Sequence, residues 1–144
     1  MLLNSKIYGH GTQNLIVLHG FLGMSDNWKS FALKIKNEFK IHLIDQRNHG
    51  KSFHSNEFNY KILAQDLKFY IDFHKIKIFS LLGHSMGGKT AMMFSNIYPQ
   101  MLNKLIIVDI MPCFYKNDHL KILKFLKSLD LKKLESRNNI EKAL

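Results

Sequence analysis

The 144-residue sequence is poor in cysteine and contains no long apolar run or secretory signal, and each of these features excludes a class of protein. Its single cysteine, Cys113, excludes a disulfide framework and is typical of a reducing compartment. No apolar run approaches the roughly 20 residues of a membrane-spanning helix. The first ten residues lack the apolar core and the small-residue cleavage site of a secretory signal. We therefore expect a cytoplasmic protein with no membrane span.

Arginine is also scarce, since Arg47 and Arg137 are the only two. The formal net charge of +10 comes from lysines that are spread along the chain. No arginine cluster or basic stripe with interleaved aromatic residues is present, so we expect no nucleic-acid partner. The eight histidines show no metal-ligand spacing, and we expect neither a metal nor a cofactor.

Short apolar runs alternate with amphipathic segments between Leu15 and Asp109. Strands are predicted for NLIVLHG, KIHLIDQ, KIKIFSLLG and NKLIIVDI, and a further one around residues 6–8. Helices are predicted for SDNWKSFALKIKNEF with Ser25 as N-cap, for YKILAQDLKFYIDFH, and for MGGKTAMMFSNIYP, which Pro99 ends. This order predicts an α/β fold, with a parallel sheet and helices on both faces, over residues 1–112. Residues 113–144 are predicted to form one or two lysine-rich amphipathic helices.

The stretch LLGHSMGGKT matches two incompatible motifs. Gly83–Thr90 fits the phosphate-binding P-loop, which predicts a nucleotide-binding protein, and Asp109 could then organise magnesium. Gly83-His84-Ser85-Met86-Gly87 fits the nucleophile elbow of serine hydrolases, in which a serine occupies a strained strand-to-helix turn. The positions two before and two after that serine must be small, and both are glycine.

The elbow interpretation also gives a role to the segment LHGFLG, which the P-loop interpretation leaves unused. The amide of Met86, at the start of a helix, is the first expected oxyanion donor. His19 and Gly20 follow a predicted strand, and the next amide, that of Phe21, is the second expected donor. We expect His19 to be structural rather than catalytic.

Four segments, HGFLGMSDNW, DQRNHGKS, GHSMGGKTAMM and LIIVDIMP, resemble the YbfF-type esterases of the α/β-hydrolase family. The resemblance runs in register from Leu15 to Pro112. It includes a D-x-R-x-x-G-x-S motif formed by Asp45, Arg47, Gly50 and Ser52, in which Asp45 and Arg47 are expected to organise a loop. It implies a truncated hydrolase core followed by lid-like helices. It also implies that Lys89 and Thr90 are helix residues and that the P-loop match is accidental.

An elbow serine needs an acid and then a histidine later in the chain. Asp109 is the candidate acid, because it ends the strand after the elbow helix, and the resemblance implies the same position. His84 is expected to support the elbow and to face away from a triad position. The resemblance implies a base histidine beyond the lid helices, and only His119 follows Asp109. We therefore expect this chain to have a nucleophile, oxyanion donors and an acid but no base.

Two interpretations of the missing base remain open. The chain is either the N-terminal part of a split or truncated hydrolase for small acyl esters or thioesters, or a degenerate relative without activity. In both cases we expect an uncovered sheet edge, which would bind a C-terminal complementing part or cause self-association. We predict that the 144 residues alone are inactive.

Overall fold

The computed structural model describes residues 1–113 and 119–128 and divides the chain into two compact units, Met1–Pro112 and Cys113–Leu144. The assignment of these units as a hydrolase core and a lid stays a prediction. In the second unit one helix, α4, is described at His119–Ser128. The remaining helical residues predicted between 113 and 144 lie outside the described part of the chain.

The first unit alternates strands and helices along the chain, as the sequence pattern predicts. Its strands are β1 (Ser5–Tyr8), β2 (Gln13–Leu18), β3 (Phe39–Ile44), β4 (Phe79–His84) and β5 (Leu102–Val108). Its helices are α1 (Lys29–Ile35), α2 (Tyr60–Phe73) and α3 (Met86–Ile97), with short 3-10 turns at Ser25–Trp28 and Pro99–Met101.

The five strands form one sheet in the order β1-β3-β2-β4-β5. The strands β2, β3, β4 and β5 are parallel, so their carboxyl ends meet at one edge of the sheet. β1 is antiparallel to β3, with Ser5 opposite Ile44, so the sheet is mostly rather than wholly parallel. An edge strand can reverse direction in this way because no crossover helix is needed to reach it.

Apolar side chains form a separate core on each face of the sheet. On one face, α2 and α3 cover strand residues that include Ile16, Leu18 and Leu81. On the other face, α1 contributes Ala32, Phe31 and Ile35 against residues such as Leu15 and Leu82. Three helices thus cover two faces, two on one side and one on the other.

Two element boundaries differ from the sequence prediction. Ser25 is not the N-cap of a long helix, because it starts the 3-10 turn and donates its amide hydrogen to Asp45 Oδ1 at 2.6 Å. β4 begins at Phe79 rather than near Lys75, because residues after α2 form a turn in which the Lys75 amide donates to the Asp72 carbonyl. Both differences reflect tertiary or turn hydrogen bonds that helix and strand periodicity does not encode.

Candidate active site

Ser85 alone separates the end of β4 from the start of α3. Its backbone has φ 49° and ψ −113°, a conformation that costs a non-glycine residue about 1–3 kcal/mol. The turn is fixed on both sides, because the Ser85 amide donates to the Val108 carbonyl at 3.0 Å and the Ser85 carbonyl accepts from the Lys89 amide at 3.1 Å. The serine is therefore held at the carboxyl edge of the sheet in a strained strand-to-helix turn.

Three glycines leave the space that this turn needs. A Cβ at Gly83 would collide with the carbonyl of Gly87, and one at Gly87 would lie 2.5 Å from the carbonyl oxygen of Leu18. A Cβ at Gly20 would lie 2.8 Å from His84 Nδ1 and 3.4 Å from the Ser85 Cβ. The close approach of β2, its following loop and α3 around Ser85 therefore requires glycine at these positions.

The same geometry is unsuited to binding phosphate. A P-loop needs a run of residues between strand and helix whose amides surround the phosphates. Here Gly87 and Gly88 already lie in the first turn of α3. Thr90 is buried, and its hydroxyl lies 2.9 Å from Gln46 Oε1 and 3.2 Å from the Met86 carbonyl. Its position inside the packed helix argues against a magnesium ligand.

His19 holds the loop that follows β2. Its Nε2 accepts from the Gln46 amide at 3.0 Å, so Nδ1 carries the hydrogen and donates to the Gly20 carbonyl at 2.8 Å. Burial lowers the pKa of this histidine and favours the neutral form that both bonds require. Both hydrogen bonds of the His19 ring are thus to backbone groups, and its supporting role stays a prediction.

Gln46 joins this loop to α3, and the sequence analysis missed it. Its Nε2 donates to the His19 carbonyl at 2.8 Å, and its Oε1 accepts from Thr90. The same amide side chain therefore links the Phe21 loop with the helix that begins at Met86. Nothing in the local pattern singles out Gln46, because its partners lie 27 and 44 residues away.

His49 is a second missed residue of this kind. Its Nε2 accepts from the Leu22 amide at 3.2 Å, and its Nδ1 donates to the Arg47 carbonyl at 2.9 Å. Its ring also meets the Phe21 ring edge-on, with 6.0 Å between centroids. The residues flanking Phe21 are therefore held from two sides, while the oxyanion role of the Phe21 and Met86 amides stays a prediction.

Asp45 connects three segments around the site. Oδ1 accepts from the Ser25 amide, and Oδ2 accepts from the Lys51 amide at 3.0 Å and from Asn4 Nδ2 at 2.7 Å. Burial opposes ionisation of Asp45, but these hydrogen bonds outweigh it and lower the pKa of the carboxyl. Gly50 has a φ of 55°, and a Cβ at this position would lie 2.6 Å from Asp45 Oδ1. The position therefore requires glycine.

Arg47, two residues further on, fixes the far side of the same loop. Its Nε and Nη2 donate to the two carboxylate oxygens of Asp66 at 2.5 and 2.8 Å, and its Nη1 donates to the Glu57 carbonyl at 2.7 Å. The hydrogen bond to Asp66 is the main cause that raises the pKa of the Arg47 guanidinium. Asp45 and Arg47 therefore both make their hydrogen bonds to neighbouring loop segments and to Asp66, and their role in organising the loop stays a prediction.

Asp109 lies beside Ser85 at the carboxyl end of β5. The register pairs His84 with Val108, which places the next residues of β4 and β5 next to each other. Asp109 has a φ of 54°, and its side chain is 86% exposed. The position agrees with the one predicted from the sequence, and its role as the acid stays a prediction.

His84 differs from the sequence expectation, because its imidazole faces the site. Its Nε2 lies 3.8 Å from Asp109 Oδ2, beyond hydrogen-bond distance, and the Trp28 ring packs edge-on with 6.2 Å between centroids. The imidazole lines a cleft of about 240 Å³ with Gly20, Phe21, Leu22, Gly23, Asn27 and Trp28. Strand alternation does not settle this orientation, because the chain leaves the strand at the next residue.

Within residues 1–113 and 119–128, no three histidine, cysteine, aspartate or glutamate side chains are grouped to hold a metal ion. None of the helices in that part of the chain is long and apolar enough to cross a membrane.

Comparison with known proteins gives a consistent assignment. Residues 13–134 match the alpha/beta hydrolase fold family. The chain is 41% identical over 105 residues to a putative esterase/lipase of Haemophilus influenzae, covering 73% of this chain and 37% of that protein. It is 35% identical over 106 residues to Esterase YbfF of Escherichia coli, covering 74% and 42%. The likeness to YbfF-type esterases that the motifs predicted is thereby confirmed.

The solved structure of a marine microorganism esterase superposes on 99% of this chain with a TM-score of 0.93 and 40% sequence identity. The superposition covers 57% of that esterase, and the chain spans about two fifths of the two curated relatives. The chain therefore belongs to the alpha/beta hydrolase fold family.

Proposed function

We propose that the complete protein is a serine hydrolase that cleaves small carboxyl esters or thioesters through an acyl-enzyme on Ser85. The observation that carries this proposal is the Ser85 turn, with its φ of 49° and the glycines that surround it. A backbone strain of this size is retained where the surrounding structure enforces it, and such strain is concentrated at functional sites.

In the proposed reaction, Ser85 Oγ attacks the acyl carbonyl while a histidine removes its proton. The carbonyl oxygen becomes negatively charged and is stabilised by the Met86 and Phe21 amides. Collapse of this intermediate expels the alcohol or thiol, which takes the proton from the histidine. Water then attacks the acyl-enzyme in the same way and releases the acid. Asp109 orients the histidine and stabilises its charged form.

The proposal is tested by labelling Ser85 with a fluorophosphonate probe. The preparation contains this chain together with a C-terminal part that supplies the base histidine. We expect one label, at Ser85, and none in the Ser85→Ala variant. Asp109→Asn should leave the fold intact and slow the labelling strongly, since a wrongly oriented histidine lowers triad catalysis by about 10⁴-fold. Labelling at another residue of a folded preparation would contradict the assignment.

We further propose that the 144 residues alone have no esterase activity above the Ser85→Ala control. Without a base, the serine hydroxyl is a weak nucleophile at neutral pH. Activity well above that control would mean that a histidine of this chain acts as the base. His84, which faces Asp109 across 3.8 Å, would be the first to test by His84→Gln. The side chain of His119 lies outside the described residues.

Nucleotide binding through Gly83–Thr90 is the alternative function that the sequence leaves open. The geometry of the Ser85 turn disfavours it. Lys89→Ala distinguishes the two, because it would abolish ATP binding in a P-loop protein. We expect no ATP binding by the unsubstituted chain.

The other alternative is a non-catalytic relative that binds a ligand or a partner. In that case the Ser85→Ala substitution would leave binding unchanged. The predicted cytoplasmic location stays a prediction.

A further inference from the structure

Trp28 forms a fixed aromatic wall of the cleft that the His84 imidazole lines. Its indole ring meets the Phe31 ring edge-on with 5.5 Å between centroids, and the His84 ring with 6.2 Å. The 3-10 turn that ends at Trp28 is anchored to a second loop, because the Ser25 amide donates to Asp45 Oδ1 at 2.6 Å. The position of the indole is therefore fixed by two ring contacts and by the turn to which it belongs.

This cleft begins directly beside the expected nucleophile. Gly20, which also lines it, approaches Ser85 so closely that a Cβ on the glycine would lie 3.4 Å from the Ser85 Cβ. His84, a third lining residue, precedes Ser85 in the chain. A group bonded to Ser85 Oγ would therefore have the space of the cleft next to it.

The order of the strands decides which half of an ester would enter the cleft. β4, which leads into Ser85, lies between β2 and β5. The loop that carries Trp28 follows β2, whereas Asp109 follows β5. In the proposed reaction the leaving group takes a proton from the histidine that Asp109 orients, so the leaving group lies on the β5 side. The carbonyl oxygen faces the Phe21 and Met86 amides, which leaves the β2 side for the acyl chain.

The size and lining of the cleft favour a neutral aliphatic chain. Its volume of about 240 Å³ is below the roughly 300–1,000 Å³ of pockets for drug-sized ligands. At about 30 Å³ for a group the size of a water molecule, it holds about eight such groups. Its apolar side chains are Phe21, Leu22 and Trp28, and no lysine or arginine is among the described residues that line it. A carboxylate at the chain end would therefore be buried without a lysine or arginine partner.

We propose that this cleft binds the acyl chain of a neutral aliphatic ester or thioester, and that Trp28 sets the longest chain accepted, at about six to eight carbons. The inference rests on the function proposed for Ser85 and identifies the acyl group of that reaction. Each methylene buried in the cleft should improve binding about fourfold, the factor that corresponds to removing one CH₂ from water. A chain that reaches the indole ring gains nothing from a further methylene, because the ring is fixed by its contacts.

The first test measures binding alone and uses the full 144-residue chain. Trp28 is the only tryptophan, so its fluorescence reports a ligand in the cleft. The probes are linear methyl ketones from butanone to methyl nonyl ketone, which have an acyl group but no leaving group. We expect the affinity to rise about fourfold for each methylene and to level off at acyl groups of about six to eight carbons. An affinity that is independent of chain length, or that rises through the whole series, would overturn the proposal.

A charged probe tests the neutral character of the chain. A linear keto acid, with the carbon number of a ketone that binds and a carboxylate at the far end, should bind at least tenfold more weakly than that ketone. Equal affinity of the two probes would overturn the assignment of a neutral acyl group.

Trp28→Ala tests the role of the aromatic wall. Binding to this variant is read from the amide chemical shifts of Gly20 and Gly23, and the levelling-off should move to chains at least two carbons longer. Phe73→Ala is the matched control, because Phe73 is an aromatic residue of α2 that is 61% exposed, and it should keep the parent dependence on chain length. Should circular dichroism show that Trp28→Ala does not fold, Trp28→Leu takes its place, since leucine keeps an apolar side chain against Phe31. A folded variant with the parent limit would overturn the role of Trp28.

The second test distinguishes the acyl half of the ester from the alcohol half. It uses the preparation with the C-terminal part, p-nitrophenyl esters of increasing acyl length and acetate esters of increasing alcohol length. Trp28→Ala should shift the length dependence of kcat/KM in the first series and leave the second series unchanged, and the opposite result would overturn the acyl assignment. Ketone binding without acylation of Ser85 would contradict the proposed function and leave the cleft as a binding site. Acylation of Ser85 without any dependence on acyl length would overturn the present inference alone.

Discussion

Acid should destabilise the fold through His42, which is buried in β3 at 1% exposure. The Tyr70 hydroxyl donates to Ser5 Oγ at 2.8 Å, so it accepts from His42 Nδ1, also at 2.8 Å. This leaves His42 Nε2 buried and without a hydrogen-bond partner. A proton there would place a charge in the core beside His74 and Lys40. Burial is the largest cause, followed by the electrostatic effects of His74 and Lys40, and together they lower the pKa of His42 from 6.5 to about 4.

The sign and size of the effect follow from proton linkage. Because the folded-state pKa is below the unfolded one, the unfolded chain binds more protons between pH 6.5 and 4, and stability falls as pH falls through that interval. At about 1.4 kcal/mol for each pH unit, His42 alone lowers the free energy of unfolding by about 3 kcal/mol between pH 7 and 4. The lowered pKa values of His19 and His74 act in the same direction.

The assay is urea unfolding, followed by circular dichroism, at pH values from 7 to 4. His42→Gln keeps an N–H donor for Tyr70 but cannot titrate. Its stability should therefore fall by about 3 kcal/mol less than that of the parent chain over this range. His54→Gln, at an exposed position, should retain the parent pH dependence. Asp45, whose pKa is lowered from 3.8, loses its contribution only at still lower pH. Parallel stability curves for His42→Gln and the parent would refute the reasoning.

Three further predictions concern stability and are read by urea unfolding at pH 7. Gly87→Ala should lower the free energy of unfolding by several kcal/mol, because the alanine Cβ would lie 2.5 Å from the backbone oxygen of Leu18. This cost exceeds the roughly 1 kcal/mol by which alanine favours a helix over glycine. A variant more stable than the parent chain would contradict this packing. Ser85→Gly should be more stable than Ser85→Ala by about 1 kcal/mol, since only glycine adopts φ 49° without strain, and equal stabilities would show that the turn is relaxed. Arg47→Lys should cost about 1–3 kcal/mol by breaking a largely buried bidentate pair, whereas Lys68→Ala, in an exposed helical pair, should cost about 0.5 kcal/mol or less. Equal costs would mean that the Asp66 pair contributes no more than a surface contact.

The residues of the Ser85 turn could be predicted from the sequence because their requirements are local. A serine between a buried strand and a helix, with Gly83 and Gly87 two positions on either side, is dictated by crowding within one turn of chain. The alternation of apolar runs and amphipathic segments likewise predicted five strands and three helices, since burial on one or both faces leaves a periodic pattern. The place of Asp109 directly after a strand was predicted in the same way, and its role as the acid stays a prediction.

Tertiary structure alone decided how the surrounding side chains are used. Ser25 was predicted to cap a helix, but its amide binds Asp45, 20 residues away. Gln46 links His19 to Thr90 across 27 and 44 residues, and His84 turns its ring into the cleft beside Trp28. Hydrogen-bond partners this distant are selected by how the strands are ordered in the sheet. Local sequence fixes which elements form, and the packing of those elements selects the partners of their polar side chains.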